Sequence, residues 1–158
     1  MAICMKFGPI EGPVTTKGFE KWIELDSFTW GVMRAIRSAA RGATSREGTE
    51  PMISQITVSK RMDVASNKLF QDATGGDLSA DVTLTFTTTT KDTITTFLTY
   101  VLSNTGVSRY SVSSGGQNPM DTLRLNGTKV MITYSGLDPK TQANPDTVGY
   151  DLTKMSKV

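Results

Sequence analysis

Apolar and polar residues alternate over several short segments of the chain. Val82, Leu84 and Phe86 alternate with threonines, which predicts a strand with one buried face and one hydroxyl-lined face. Turn-forming glycines, prolines and polar residues separate the segments, and this arrangement predicts an all-β protein, a barrel or sandwich of two sheets. The predicted strands are 3–7, 22–30, 53–62, 82–86, 94–102, 107–113, 123–134 and 148–152.

Two of the predicted strands change phase partway along. Between 22 and 30 the apolar positions change parity near Asp26, and between 123 and 134 they change near Gly127. A strand whose apolar residues switch face needs a bulge or bend at the switch. The sequence therefore predicts an irregularity at each of these two positions, where a glycine in a strand is also typical of a bulge.

One short helix is predicted after the third strand. Ala65, Leu69 and Ala73 repeat at the i, i+4 spacing of one helix face, and Ser66 is the predicted N-cap. A pair of glycines at 75–76 gives the stop signal. The fold class that follows is all-β with one short α-helix, and we expect residues 1–158 to form a single domain.

The segment 31–51 lacks the alternation seen elsewhere. A helix through Met33–Arg41 is conceivable, but clear start and stop signals are missing, and we interpret the segment as a long loop. Loops of this length in compact domains are often functional. Its charged residues suggest either a contact between subunits or a solvated loop, and the residues alone favour the solvated loop. These residues are Arg34, Arg37, Arg41, Arg46, Glu47 and Glu50.

The composition excludes the most common kinds of catalytic site. The 158 residues include no histidine and one cysteine, so a Ser-His-Asp or Cys-His arrangement and a Cys/His zinc site cannot be built from this chain. We expect no catalytic residue, no metal and no cofactor, and we expect that the protein is not an enzyme. Carboxylate-only chemistry stays open as a distant alternative, with these candidates: Glu24, Asp26, Asp63 and Asp81.

The net charge and the search for targeting signals limit the classes of partner that we expect. The net charge of +2 is too small to argue for nucleic acid. No stretch has the length and apolar character of a membrane helix, and the first residues do not form a secretory leader. Cys4 is expected to be a buried strand thiol, although pairing with another molecule stays open.

Four segments stand in an order that resembles a known family. Trp22–Gly31 is a strand-like run ending in aromatic–Thr–aromatic–Gly, and Ser59–Gly76 reads as a strand, a charged turn, a short helix and a glycine stop. The segment 123–134 begins Leu-x-Leu-Asn, and 150–152 is Tyr-Asp-Leu. Together they resemble the Hcp family, the tube protein of bacterial type VI secretion systems.

This resemblance implies a function. Similar proteins are two-sheet β-barrels that assemble into a homo-hexamer, and their rings stack into the inner tube of a contractile machine. The implied partners are secreted effectors in the lumen, a spike protein and a contractile sheath, with no nucleic acid and no membrane insertion. The implied location is the bacterial cytoplasm before firing and the exterior afterwards, without a cleaved signal peptide. The sequence departs from the family at Gly127, at Tyr150 and in the Arg/Ala-rich segment 31–50.

Two sets of residues are candidate sites under this hypothesis. The charged segment 31–50 would bridge subunits or rings. Alternation places Thr29 opposite Phe28 and Trp30, so Thr29 would face the lumen and touch cargo if those two aromatic side chains pack inward.

Other functions stay open at this point. A phage-type tail-tube protein would look similar and would do the same mechanical work. A monomeric β-sandwich binding module could use the aromatic strand and the threonine-rich face. These alternatives differ in oligomeric state and in genomic context.

Overall fold

The computed structural model describes residues 1–38, 46–137 and 144–158. For residues 38, 46 and 47 it describes only the backbone. Within these residues the chain forms fourteen strands and one helix. The elements are β1 (Ala2–Phe7), β2 (Ile23–Leu25), β3 (Ser27–Thr29), β4 (Val32–Met33), β5 (Ile36–Ser38), β6 (Arg46–Gly48), β7 (Met52–Ile53), β8 (Ile56–Arg61), α1 (Ser66–Gly75), β9 (Ala80–Thr90), β10 (Thr93–Ser113), β11 (Met120–Asn126), β12 (Lys129–Tyr134), β13 (Asp146–Asp151) and β14 (Ser156–Lys157).

Two antiparallel sheets face each other across the core. The first sheet has the order β2-β1-β9-β10-β12-β13-β14, and the second has the order β10-β11-β8-β3. Strand β10 belongs to both sheets, since its first half pairs with β9 and β12 and its second half pairs with β11. The predicted class, all-β with one short helix and two sheets, is confirmed.

The bend predicted near Asp26 is confirmed, and it moves the chain from one sheet to the other. Before it, β2 pairs with β1 in the first sheet; after it, β3 pairs with β8 in the second. The Asp26 backbone N–H donates to the Ser59 carbonyl at 2.8 Å, which ties the corner to β8. The change of side-chain parity is thus a change of sheet.

The segments predicted as two strands at 94–102 and 107–113 form one strand, β10, of 21 residues. Asn104 takes a positive φ of 48°, and the pairing with β9 is irregular between Leu102 and Thr105. At this bend β10 passes from the first sheet into the second. Opposite this bend Gly127 separates β11 from β12, and a Cβ at Gly127 would lie 2.8 Å from the Thr105 hydroxyl oxygen. The change of apolar phase predicted at Gly127 is present, but it marks a break between two strands, so the single bulged strand predicted over 123–134 is wrong.

The core lies between the sheets. It is built from the inward-facing aliphatic residues of both sheets, and an aromatic cluster closes one end of it. Phe28 of the second sheet contacts Phe86 and Tyr100 of the first, with ring centroids 5.2 Å and 4.9 Å apart, and Trp30 lies 5.6 Å from Tyr100. These edge-on and tilted contacts add to the area that the rings bury.

Helix α1 is present, but its predicted cap is wrong. Ser66 is the first helical residue and Ala65 is the N-cap, which has no side-chain capping hydrogen bond. The Ser66 side chain is buried and bonds to other groups, so it is not free to cap the helix. At the other end the Asp72 carboxylate accepts a 2.8 Å hydrogen bond from the Val107 N–H, which fastens α1 to β10.

The prediction of a long loop at 31–51 is also wrong. Strand β4 pairs with β7, and β5 pairs with β6 in the register Ile36↔Gly48, Arg37↔Glu47 and Ser38↔Arg46. We call the described part of this antiparallel ribbon, residues 32–38 and 46–53, the arm. The conceivable helix over Met33–Arg41 is likewise excluded as far as Ser38. Side chains exposed on both faces of a ribbon need no alternation, so the strands left no periodic signal in the sequence.

No helix within the described ranges is long and apolar enough to cross a membrane.

Candidate functional site

The arm exposes large apolar side chains. Val32 is 59% exposed, Met33 67%, Ile36 50% and Met52 69%. In register Met33 lies directly opposite Met52. A two-stranded ribbon is marginally stable alone, and large apolar side chains exposed together on one segment are typical of a contact surface. The arm therefore has the character of a segment that packs against another molecule.

The charged residues predicted as a subunit contact lie on or beside the arm. Arg34, Arg37 and Glu50 are exposed, and they form no ion pair with any side chain in the described part of the chain. The Arg34 guanidinium lies over Gly48, where an added Cβ would be 3.0 Å from its Nε. Arg41 lies outside the described residues, and so do the side chains of Arg46 and Glu47, whose backbones form β6.

An open groove runs between the base of the arm and the far end of the first sheet. It encloses about 540 Å³ and is mainly apolar. On the arm side Trp30, Val32 and Ile53 form its wall. On the sheet side Ile132 and Val148, which are paired in register, form its floor. The core-facing side of β12 and β13 thus extends beyond the cover that the second sheet provides.

Thr29 stands on the solvent-facing side of β3. It is exposed and lies opposite Thr57 in register, whereas Phe28 and Trp30 point into the aromatic cluster. The two aromatic side chains therefore pack inward, which was the condition under which Thr29 was predicted to face the lumen. Whether cargo touches it stays a prediction.

Thr29 belongs to a larger polar surface, which we call the hydroxyl face. Strand alternation places a set of hydroxyl side chains on the outer side of the second sheet, together with three arginines, Arg61, Arg109 and Arg124. The pattern of any single segment does not reveal this surface, because its members come from four strands. The hydroxyl residues are Ser27, Thr29, Thr57, Ser59, Ser111 and Thr122.

On the inner side of the same sheet lies a buried ionic cluster. Lys60 and Asp121 are each 0% exposed, and their Nζ and Oδ2 atoms are 3.0 Å apart. The Lys60 ammonium also donates to Asp63 at 2.8 Å and to Ser66 at 2.9 Å. The Ser66 hydroxyl in turn donates to Asp121. These hydrogen bonds form one network that joins β8, β11 and the start of α1.

The Tyr110 hydroxyl completes this cluster by donating to Asp121 Oδ1 at 3.1 Å. Burial, and then the negative charge of Asp121, raises the pKa of Tyr110, so it stays a donor at neutral pH. The sequence presented Lys60 only as part of a charged strand end, and the burial of its side chain left no periodic signal. The cluster positions α1, and its enclosure favours a structural role.

Two of the remaining carboxylate candidates, Glu24 and Asp26, line a small surface pocket beside the cluster, together with Asp63 and Arg61. Both are exposed, and Asp81 is exposed near the start of β9, away from that pocket. Among the described residues no group of three or more His, Cys, Asp or Glu side chains is placed to hold a metal ion. Cys4 is buried in β1, and burial, followed by the charge of Glu24, raises the pKa of its thiol.

Comparison with known proteins shows which family and which solved structures this chain is similar to. A family model described as "Type VI secretion system effector, Hcp" matches residues 4–134. A solved structure titled as a type six secretion system protein is 26% identical, with a TM-score of 0.88 and coverage of 99% of each chain. A sequence comparison with curated proteins finds no match.

Two further solved structures show the same fold at low identity. Hcp1 from Salmonella typhimurium is 19% identical, with a TM-score of 0.77, and the match covers 99% of this chain and 98% of that one. Hcp1 from the E. coli EAEC 042 pathovar is 14% identical, with a TM-score of 0.78 over 96% of this chain and 99% of that one. Since the family model spans most of the chain, this protein belongs to the Hcp family of type VI secretion system proteins.

Proposed function

We propose that this protein is the tube subunit of a type VI secretion system. In this proposal it is not an enzyme, residues 1–158 form one unit, and its copies form hexameric rings that stack and carry effectors. The observation that supports this best is the open apolar groove beside the arm, because a lone subunit leaves apolar surface of the core side exposed to water.

A second copy of the chain is the occupant that fits the groove. The same subunit offers both halves of an apolar contact: the groove on one side and the exposed apolar side chains of the arm, such as Met33 and Ile36, on the other. A contact between two different surfaces of identical chains is head-to-tail, and it closes into a ring when the rotation per subunit allows. The charged arm residues would then bridge neighbouring subunits or rings.

The size of the chain suits such a ring. A compact protein of this length has a radius of gyration of roughly 15 Å, which corresponds to a sphere about 40 Å across. Six touching spheres leave a central opening as wide as one sphere, roughly 40 Å. That opening would admit a small folded effector, with the hydroxyl face and Thr29 towards it.

The remaining partners follow from the same proposal. Stacked rings would lie inside the contractile sheath and carry the spike protein at one end. The protein would reside in the cytoplasm until contraction expels it, without cleavage of a signal peptide.

Negative-stain electron microscopy of the purified protein tests this function. Six-fold rings with an open centre would support it, and light scattering would give the mass of six chains. Uniform monomers that persist at high concentration would contradict it and would favour the monomeric binding module.

Removing the distal arm should weaken assembly and leave the β-fold intact. We expect a variant in which an Asn-Gly turn replaces residues 35–48 to elute mainly as smaller species, since it loses Ile36 and the charges of the ribbon. Light scattering measures the mass, and circular dichroism with thermal unfolding checks the fold. Hexamers as abundant as those of the unmodified protein would show that this part of the arm is dispensable.

Thr29→Gln should impair cargo retention without altering the ring. The longer side chain would crowd an exposed position on β3, where no core contact depends on the threonine. Co-purification of an effector with each variant measures retention. Thr147→Gln, at an exposed position on the first sheet, serves as the matched control. Equal retention by both variants would remove Thr29 from the cargo surface.

A further inference from the structure

Arg109 and Arg124 lie directly opposite each other on β10 and β11. Both are exposed, and neither forms an ion pair with a side chain that the structure describes. Like charges at directly opposed positions destabilise a sheet. The presence of this pair is therefore not explained by the stability of the fold, and it indicates a binding role.

A β-bulge creates the pair. Val107 lies opposite Leu125, and the next paired position is Arg109 opposite Arg124, so Ser108 is the extra residue. Without the bulge Arg109 would lie opposite Leu123, on the core side of the sheet. Bulges often re-aim a side chain in this way. This one turns the Arg109 side chain to the outer face, beside Arg124.

Hydrogen bonds hold the bulge in place. The Ser108 hydroxyl lies 2.7 Å from Gln55 Oε1 and 3.2 Å from the Arg124 carbonyl oxygen, within hydrogen-bonding distance of both. The extra residue is therefore fastened to the two neighbouring segments, and the position of Arg109 is fixed by local contacts.

Along the described outer face of the second sheet, no paired position carries a negative charge that could balance the two arginines. Thr29, Thr57, Arg124 and Arg109 form one row across the hydroxyl face. Two strand spacings separate Thr29 from Arg124, about 10 Å. The paired outer positions of this sheet that the structure describes hold hydroxyl groups, arginines, Met120, Asn126 and Gly106, and no carboxylate. The face is thus a positively charged, hydrogen-bonding surface.

We propose that the Arg109–Arg124 pair binds acidic patches on folded protein cargo. This inference rests on the proposed function, which turns the hydroxyl face towards the lumen. A guanidinium binds a carboxylate through two parallel hydrogen bonds, and a carboxylate placed between the two arginines relieves their repulsion. In a ring of six the pair recurs at every subunit, so a folded acidic protein would meet it from several sides.

Nucleic acid fits this face less well. Non-specific binding of single strands uses aromatic rings as stacking platforms. The aromatic side chains of the second sheet, Phe28 and Tyr110, instead point to the inner side, where they contact Phe86 and Phe70 respectively. The surface offers hydroxyl groups, one directly opposed arginine pair and Arg61 at its edge, which suits discrete carboxylates on a protein.

Binding of two fluorescent proteins tests the inference. The probes are a negatively supercharged green fluorescent protein and a near-neutral version of the same fold. The variant Arg109→Gln/Arg124→Gln is compared with the control Lys6→Gln/Lys17→Gln, which removes the same two charges from exposed positions elsewhere. Electron microscopy first establishes the ring state of each sample, and fluorescence anisotropy in low salt then gives the affinities.

We expect the arginine variant to bind the acidic probe about ten-fold more weakly or worse, because it loses charge-assisted hydrogen bonds, which are stronger than neutral ones. The control should stay within about two-fold, as the replaced lysines are exposed and remote from the pair. The near-neutral probe should bind equally weakly to all samples. Both arginine replacements are at exposed positions and should leave the rings unchanged.

Three results would overturn the inference, and they are distinguishable. If the rings are intact and both variants lose affinity equally, the tube function is not contradicted, but the Arg109–Arg124 pair is not the binding site. Single chains that bind the acidic probe through these arginines would retain acid binding but contradict both the ring and the lumenal cargo role. Tighter binding of a DNA oligonucleotide than of the acidic probe, lost with the same two arginines, would assign the face to nucleic acid.

Discussion

Replacing Lys60 by methionine is expected to lower the free energy of unfolding by about 3–5 kcal/mol, since removal of one partner leaves a buried charge uncompensated. Asp121 would keep its hydrogen bonds to Ser66 and Tyr110 but would lose its counter-charge at 3.0 Å. Methionine fills much of the space of the lysine stem, so loss of volume contributes little. Because whole domains have about 5–15 kcal/mol of stability, this loss is a large fraction.

Urea unfolding at fixed protein concentration measures the effect, with Lys21→Met as the matched control. Lys21 also pairs with an acid, Glu11, at 3.0 Å, but both side chains are mostly exposed. Surface pairs of this kind contribute about 0–1 kcal/mol. If Lys60→Met unfolds at the same urea concentration as the control, the buried cluster does not stabilise the fold.

A double variant separates charge from packing. Lys60→Met combined with Asp121→Leu removes both charges, and replacing a buried ion pair by apolar residues is often neutral or stabilising. We expect this variant to recover part of the stability lost by Lys60→Met alone. No recovery would indicate that the hydrogen bonds to Ser66 and Tyr110 dominate over the charge pairing.

Val148→Asp is expected to abolish ring assembly while the subunit stays folded. Val148 is on the floor of the groove and is 53% exposed in a single chain, so the charge is tolerated there before assembly. A neighbouring subunit in the groove would take that carboxylate out of water without a partner, at a cost of several kcal/mol. Association should weaken about 100-fold or more.

Light scattering over a range of concentrations measures this loss, and Thr147→Asp is the control. Thr147 is the preceding residue of β13, is exposed and faces the opposite side of the sheet, so the same charge is added outside the groove. We expect the control to form rings. Rings of normal mass from Val148→Asp would show that the groove stays open in the assembly.

Much of the fold could be predicted because its signals are local. The alternation of Val82, Leu84 and Phe86 with threonines predicted β9, and the parity change near Asp26 predicted the corner between β2 and β3. Glycines at 75–76 predicted the end of α1 within a residue. Each of these features depends on neighbours a few residues away, where side-chain period and turn chemistry act directly.

The candidate site was predicted less completely. The exposure of Thr29 followed from alternation on a single strand. The strands of the arm could not be predicted in this way, because they are solvent-exposed. Pairs such as Ile36 with Gly48 therefore show no alternation of apolar and polar residues. The groove also escaped prediction, since it depends on where the second sheet stops covering the first.

By itself, then, the sequence determined the strand content, the short helix, the two phase changes and the resemblance to the Hcp family, all of which rest on local patterns and their order. Only the tertiary structure decided which distant residues meet. It placed Lys60 against Asp121 in the interior and Arg109 opposite Arg124 on the surface. The physical reason is register: a one-residue bulge decides which face a side chain takes, and long-range pairing across a sheet fixes its neighbours.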